Sequence, residues 1–144
     1  MKHLDKGRKF HRTKDQRKAL HKSLAANLIL RERIKTTLEK AKETKITVEK
    51  LITIAKKQDI VSLRNLKKKL PEKAANKLYY EIAPVFNERK GGYTRIIKTS
   101  EKRIRDSSPL AILELVDRPL MTEKKEEGEV ENSEKKQKEG KLNK

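Results

Sequence analysis

The 144-residue sequence has no cysteine or tryptophan, and only three tyrosines and two phenylalanines. Without cysteine, disulfides and thiolate metal sites are excluded, and the redox compartment stays undetermined. So few aromatic side chains offer little stacking surface for bases, which favours contacts to a nucleic-acid backbone over base stacking. No apolar run approaches the roughly 20 residues of a membrane span. Because the N-terminus also lacks the apolar segment of a secretory signal, we expect a cytoplasmic protein without a membrane partner.

Positive charge is what the sequence has in excess. Its 39 Lys and Arg against 21 Asp and Glu give a formal net charge of +18. This exceeds what solubility requires and points first to nucleic acid, and second to an anionic membrane surface. Residues 119–144 do not share the excess, since they hold seven Lys and seven Glu with few large apolar residues. We predict that this segment is a disordered tail, because it cannot offset the entropy of ordering.

The most basic stretch is the N-terminus, where residues 1–22 hold nine Lys or Arg against two Asp, and all three histidines. No apolar periodicity precedes Thr13. We therefore predict an arm over 1–13 that is extended in free solution and becomes ordered against a polyanion. The candidate phosphate-binding residues are the cationic and imidazole side chains of this stretch: Lys2, His3, Lys6, Arg8, Lys9, His11, Arg12, Lys14, Arg17, Lys18 and Lys22.

Residues 14–118 carry the periodicity of a single small domain. Apolar residues at helical spacing predict four helices, over 14–31, 38–56, about 60–70 and 72–83. Two capping boxes support the first two starts, Thr13 with Gln16 and Thr36 with Glu39. Asp59 is placed to cap the third helix, whose apolar face begins at Ile60, and Pro84 is expected to end the fourth.

Two later stretches alternate as strands do. One begins at Tyr93, and the nearly continuous apolar run Leu110–Val116 predicts a central strand. The predicted fold class is α+β, with about four helices packed on a small, about three-stranded mixed sheet. A glycine pair before the first strand predicts a turn whose bare backbone could admit a phosphate, with Tyr93 available to stack on a base or ribose. The candidates here are Arg89, Lys90, Gly91, Gly92, Tyr93, Arg95 and Lys98.

Catalysis and metal binding find no support in these residues. His3, His11 and His21 lie eight and ten residues apart, whereas zinc sites use closer pairs. A metal-dependent nuclease would need paired buried carboxylates, but the acids lie in the tail or at helical spacing from Lys. We therefore predict a protein that is not an enzyme and has no metal, cofactor or small-molecule substrate.

Three stretches together resemble the bacterial ribosomal protein L17 family: residues 7–12 (GRKFHR), 33–43 (RIKTTLEKAKE) and 91–98 (GGYTRIIK). The resemblance implies a structural protein of the large ribosomal subunit. It would bind 23S ribosomal RNA near the peptide exit region, beside neighbouring large-subunit proteins, and lie in the cytoplasm within the ribosome. It also implies helices on a small sheet behind an RNA-threaded extension, and it adds Arg33 and Lys35 as RNA-binding candidates. The sequence departs from the family in two places. Leu4-Asp5 stand where the family usually has basic residues, and residues 105–108 lack a glycine that is common in that loop.

Charge alone leaves an alternative open. Phosphate contacts do not identify the polymer that carries them. A general nucleic-acid-binding protein, either DNA-compacting or an RNA chaperone, would show the same basic arm and basic loops.

Overall fold

A computed structural model of the chain describes residues 7–117. The predicted tail and the candidates Lys2, His3 and Lys6 lie outside the described residues, as do Leu4 and Asp5. The elements in chain order are α1 (Lys14–Arg31), β1 (Arg33–Thr37), α2 (Leu38–Ala55), α3 (Ile60–Lys69), α4 (Glu72–Lys77), β2 (Thr94–Lys102) and β3 (Pro109–Leu115). The helices expected from periodicity are therefore present.

Within the described residues, the three strands form one sheet in the order β1-β3-β2. This confirms the α+β class and the central position of the strand predicted over Leu110–Val116. Both outer strands pair with β3 in antiparallel orientation, so the sheet is antiparallel and not mixed. Antiparallel pairing follows from the connections, since β2 reaches β3 through a short hairpin loop that reverses the chain.

The two faces of the sheet differ because side chains alternate along each strand. On β3, Ala111, Leu113 and Leu115 are fully buried and pack in one core with residues of α1 and α2. Ile112 and Glu114 belong to the opposite face, where their neighbours on β1 and β2 are largely exposed. This second face carries cationic side chains, described below.

The first two helices begin close to where the sequence predicts. Thr13 and Gln16 form the predicted capping box, with the Thr13 backbone N–H donating to Gln16 Oε1 at 3.4 Å. At α2 the predicted box is wrong. Thr36 stays in β1 and the N-cap is Thr37, so Glu39 is one position too early in the helix to complete the box. Its carboxylate is used for ion pairs instead.

The last two helical predictions need correction. Ile60, expected on the buried face of α3, is 69% exposed because it sits in the first turn, away from the core. The helix that begins at Glu72 does not stop at Pro84. It continues through a π-helical turn (Leu78–Ile82) and a short final turn (Ala83–Val85). The wider π turn makes room for the proline ring, which would otherwise clash with the preceding turn.

Candidate nucleic-acid interface

Helix α1 is divided along its length into a cationic half and a buried half. Lys14, Lys18 and Lys22 follow one another at four-residue spacing and are exposed, so they form one row on the helix surface. Toward the other end, Leu28 and Ile29 are fully buried. The predicted arrangement, a helix that leads from a basic surface into the core, is confirmed for this part of the chain.

The root of the arm is a tight turn that lies against α1. The Arg12 backbone N–H donates to the Lys9 carbonyl at 3.1 Å. Both central residues have positive φ, 54° at Phe10 and 50° at His11, as in a type I′ turn. The centroid of the Phe10 ring lies 6.0 Å from the centroid of the His21 ring on α1. Phe10, isolated among charges in the sequence, therefore contacts the helix.

Arg8 is paired with acids of the protein, although its side chain stays 44% exposed. Its guanidinium pairs with Glu39, and its Nη1 donates to Glu43 Oε1 at 3.0 Å. A hydrogen bond from Lys42 is the main cause that lowers the pKa of Glu39 below its ordinary value, and the charges of Arg8 and Lys42 act in the same direction against desolvation. Arg8, a predicted phosphate ligand, is thus already engaged within the chain.

An open groove of about 450 Å³ lies between the arm root, the start of α2 and the β2–β3 loop. It brings together predicted residues His11 and Arg12 with two cations that sequence reasoning did not select, Lys40 and Arg103. Arg103 stands in a basic loop of the sequence, residues 100–106, but its approach to Lys40 could not be predicted, because three segments distant in sequence form the groove.

The β2–β3 loop at this groove is braced by one carboxylate. Asp106 Oδ1 accepts from Arg103 Nε at 2.7 Å, and its Oδ2 accepts from the Ser108 hydroxyl at 2.8 Å. These hydrogen bonds, that from Arg103 first, hold the pKa of Asp106 well below its usual range. Ser107 adopts φ 50° within the loop. The loop therefore presents Ile104, which is 99% exposed, on a fixed backbone.

The outer face of the sheet carries three more predicted cations, two of which pair with one buried acid. Arg33 and Arg95 lie on either side of Glu114 in the register of the sheet, and both guanidiniums pair with its carboxylate. Glu114 is 2% exposed, whereas Arg33 and Arg95 are 53% and 60% exposed. Lys35, one row further along β1, pairs with Glu101. These cations reach solvent, but each already has an acidic partner.

The glycine turn is present, but the predicted stacking role of Tyr93 is wrong. Tyr93 is 3% exposed, with its ring 5.2 Å from Phe86 in an edge contact and Lys56 Nζ 5.3 Å from its centroid. Tyr93 precedes β2 and its ring packs against Phe86 in the core, so it is not available to a base. Gly92 has φ 66°, which explains a glycine there. A Cβ at Gly91 or Gly92 would meet nothing within 4 Å, so the turn is open to solvent.

Around this turn, Arg89 is also committed within the chain. Its Nε lies 3.1 Å from Asp117 Oδ2, and its Nη1 donates to the Gly92 carbonyl at 3.2 Å. Lys90 is exposed, and its carbonyl accepts from the Tyr93 hydroxyl at 3.3 Å. The glycine turn precedes Thr94, which pairs with Leu115 at the end of β3, while the arm root lies near Pro109 at its start. The seven residues of β3, at about 3.3 Å each, separate these two groups of candidates by roughly 20 Å.

Pairing divides the predicted cations into two groups. Those with an acidic partner within residues 7–117 are Arg8, Lys18, Arg33, Lys35, Arg89 and Arg95. Lys18 is only loosely held, at 4.0 Å from Asp15. Those without an ion pair to any acid of that range are Lys9, Arg12, Lys14, Arg17, Lys22, Lys90 and Lys98. Five of these seven belong to the stretch 9–22, so among the predicted binding residues the unpaired charge lies mainly at the arm root and the start of α1.

Between residues 7 and 117 there is no group of three or more His, Asp or Glu side chains placed to hold a metal ion. Over the same range, none of the helices combines the length and apolar character that crossing a bilayer requires.

Comparison with known proteins gives one consistent result. A family model described as "Ribosomal protein L17" matches residues 20–116. The chain is 49% identical to large ribosomal subunit protein bL17 of Sulfurihydrogenibium sp. (strain YO3AOP1) over 120 residues, which cover 83% of this chain and 99% of that protein. It is 51% identical to the protein of the same name from Thermodesulfovibrio yellowstonii over 118 residues, covering 81% of this chain and 88% of that protein.

Proposed function

The chain belongs to the ribosomal protein L17 family and is a structural protein of the large ribosomal subunit, and from that premise we propose that it binds and stabilises 23S ribosomal RNA. The proposed contacts are to phosphates, made by the basic arm and by basic loops, with recognition through shape more than through base edges. Its other partners are neighbouring proteins of the large subunit, and its place is in the cytoplasm, within the ribosome. The family is a structural one and not an enzymatic one.

The observation that carries this proposal is the unpaired cationic surface of the arm root and α1. Lys9, Arg12, Lys14, Arg17 and Lys22 have no ion pair with an acid of residues 7–117. A folded protein gains nothing in stability from such a concentration of like charge. Phosphates are the counter-charge that fits it, because RNA supplies them at regular spacing and neutralising them releases condensed counterions.

The salt dependence of RNA binding tests the proposal. The seven unpaired candidates, with Lys2 and Lys6 of the arm, would make about nine phosphate contacts. At that number, log K falls with log [salt] with a slope between roughly −6 and −8. Filter binding of 23S fragments across a series of KCl concentrations measures it. A slope near zero would contradict phosphate neutralisation, and deleting residues 2–12 should remove much of the slope while the domain stays folded.

A matched pair of variants separates position from total charge. The triple variant Lys14→Gln, Lys18→Gln, Lys22→Gln neutralises the exposed row of α1. The control Arg64→Gln, Lys68→Gln, Lys69→Gln removes the same charge from the exposed face of α3. We expect the α1 variant to lose about two units of slope and the α3 variant to lose less than one. Equal losses would mean that binding is unspecific attraction to the whole molecule.

The second candidate, a general nucleic-acid-binding protein, is kept because the same surface would attract duplex DNA. Competition between structured 23S fragments and duplex DNA, at equal phosphate concentration, distinguishes the two. A preference for the RNA supports the ribosomal function. Equal competition would favour a DNA-compacting or chaperone function.

A further inference from the structure

Two glutamates at the start of α2 hold the root of the arm. Glu39 and Glu43 are four residues apart on one helix face, and the Arg8 guanidinium reaches both of them. The Glu43 side chain is only 15% exposed, so this ion pair is less screened by water than an ordinary surface pair. An acidic pair is an unexpected neighbour for a segment that binds polyanions, because it would repel the same phosphates.

Other contacts of the arm root agree with this docking. Gly7 has φ +91°, and a Cβ on it would lie 3.7 Å from Glu43 Oε2, so the backbone passes close to the carboxylate. On the α1 side, Arg17 Nη1 donates to the Arg12 carbonyl at 3.2 Å, and Phe10 lies beside His21. The arm root at residues 7–12 is therefore held from both helices, by α2 at Gly7 and Arg8 and by α1 at the turn that follows.

We propose that Glu39 and Glu43 are positioning residues that anchor the arm through Arg8 before RNA binds, so that Arg8 acts as an internal anchor and not as a phosphate ligand. This inference rests on the proposed function only for its consequence in RNA binding. The docked geometry belongs to the free protein. For residues 7–13, this docked geometry replaces the predicted arm that stays extended until RNA binds.

The benefit of such an anchor is preorganisation. An unanchored arm would have to be ordered at the moment of binding, which weakens the affinity for each side chain that must be immobilised. Anchoring fixes the direction in which Lys9 and Arg12 leave the protein. The cost is two negative charges near the binding surface, which by themselves reduce attraction to RNA.

These two effects have opposite signs in the double variant Glu39→Gln, Glu43→Gln. If the glutamates only contribute charge, the variant gains two units of positive charge and binds RNA more tightly. If they position the arm, the variant binds about five- to tenfold more weakly in spite of its higher charge. The control Glu81→Gln, Glu88→Gln makes the same change in net charge at exposed acids that have no ion pair with a residue of 7–117.

The anchor itself is tested in the full chain without RNA. Backbone ¹⁵N relaxation of residues 8–12 should show a rigid arm root in the wild type and in the control, and a marked drop of the heteronuclear NOE in the glutamate variant. Arg8→Gln should reproduce that drop. An arm root that is equally rigid in all four proteins, or flexible in the wild type, would overturn the anchor whatever the RNA measurements show.

Filter binding to 23S fragments then tests the consequence. Weaker binding of the glutamate variant together with tighter binding of the control supports positioning. Tighter binding of both variants would overturn the positioning role even if the anchor exists. If the wild type itself fails to bind the fragments, the proposed function fails, while the relaxation data still decide the anchor.

Discussion

Replacement of Glu114 by glutamine tests whether one buried carboxylate holds the three strands together. Glu114 lies on the central strand and its carboxylate pairs with Arg33 on one neighbouring strand and Arg95 on the other. The acid is 2% exposed, so its charge depends on these partners for solvation. Glutamine keeps the volume of the side chain and removes the charge, which isolates electrostatics from packing.

The magnitude follows from the hydrogen bonds that are lost. A hydrogen bond to a charged group contributes about 1.5–3 kcal/mol, and a neutral one about 1 kcal/mol. Glutamine can keep at most one good acceptor bond, and both arginines are more than half exposed, so water replaces part of what they lose. We expect Glu114→Gln to lower the free energy of unfolding by about 2 kcal/mol, or roughly 8 °C in Tm for a domain of this size.

Urea and thermal unfolding, followed by circular dichroism, measure this loss. The matched control is Glu101→Gln, which breaks the exposed ion pair with Lys35 on the same sheet face. Because such surface pairs contribute about 0–1 kcal/mol, the control should change Tm by no more than about 4 °C. If Glu114→Gln costs no more than Glu101→Gln, the carboxylate is not what connects the strands, and the reasoning from burial is refuted.

Three further predictions concern stability. Thr44 is fully buried and its Oγ1 has no hydrogen-bond partner among the described residues, so Thr44→Val should raise the free energy of unfolding by about 1 kcal/mol in urea; a loss of stability would show that the hydroxyl is satisfied. Ser107 has φ 50°, and Ser107→Gly should stabilise by about 0.5–1 kcal/mol, as the relief of the left-handed conformation exceeds the entropy of glycine; an unchanged midpoint would contradict that strain. Hydrogen bonds lower the pKa of Asp106 from 3.8. Its contribution to the free energy of unfolding is therefore complete above pH 3.8 and is lost as the pH falls through the lowered pKa. Amide chemical shifts of the β2–β3 loop should therefore stay constant from pH 7 to 3 in the wild type, and a titration centred near 3.8 would show that Asp106 is not braced.

Local signals predicted much of the fold. The capping box at Thr13 and Gln16 fixes the start of α1, and the apolar run from Leu110 identifies the central strand, because both depend on residues close in sequence. In the β2–β3 loop, where the sequence lacks an expected glycine, Ser107 has φ 50°, a conformation that glycine adopts more readily. The strand orientation at β1 and the exposure of Ile60 could not be predicted in this way, because they depend on where the core lies.

The candidate site was predicted as a set of cations, but not as a surface. Sequence reasoning selected Tyr93 for stacking because an aromatic residue follows a basic glycine turn, yet its ring packs against Phe86 in the core. It missed Lys40 and Arg103, which reach the groove only because the arm, α2 and the hairpin loop meet there. The type of each side chain can be read from the sequence. Where the side chain points, and which distant segments meet beside it, can be read only from the fold.

Pairing explains why a count of positive charges overstates the binding surface. The acids that engage the predicted cations come from far along the chain: Glu43 lies 35 residues from Arg8, and Glu101 lies 66 residues from Lys35. A cation that already has such a partner must give up that ion pair before it can neutralise a phosphate, so it contributes little to the release of counterions. Five of the unpaired candidates lie between residues 9 and 22, where the arm meets α1. The salt slope of RNA binding should therefore depend on the unpaired cations of this surface. Removing a paired cation such as Arg95 should lower the free energy of unfolding and change that slope little.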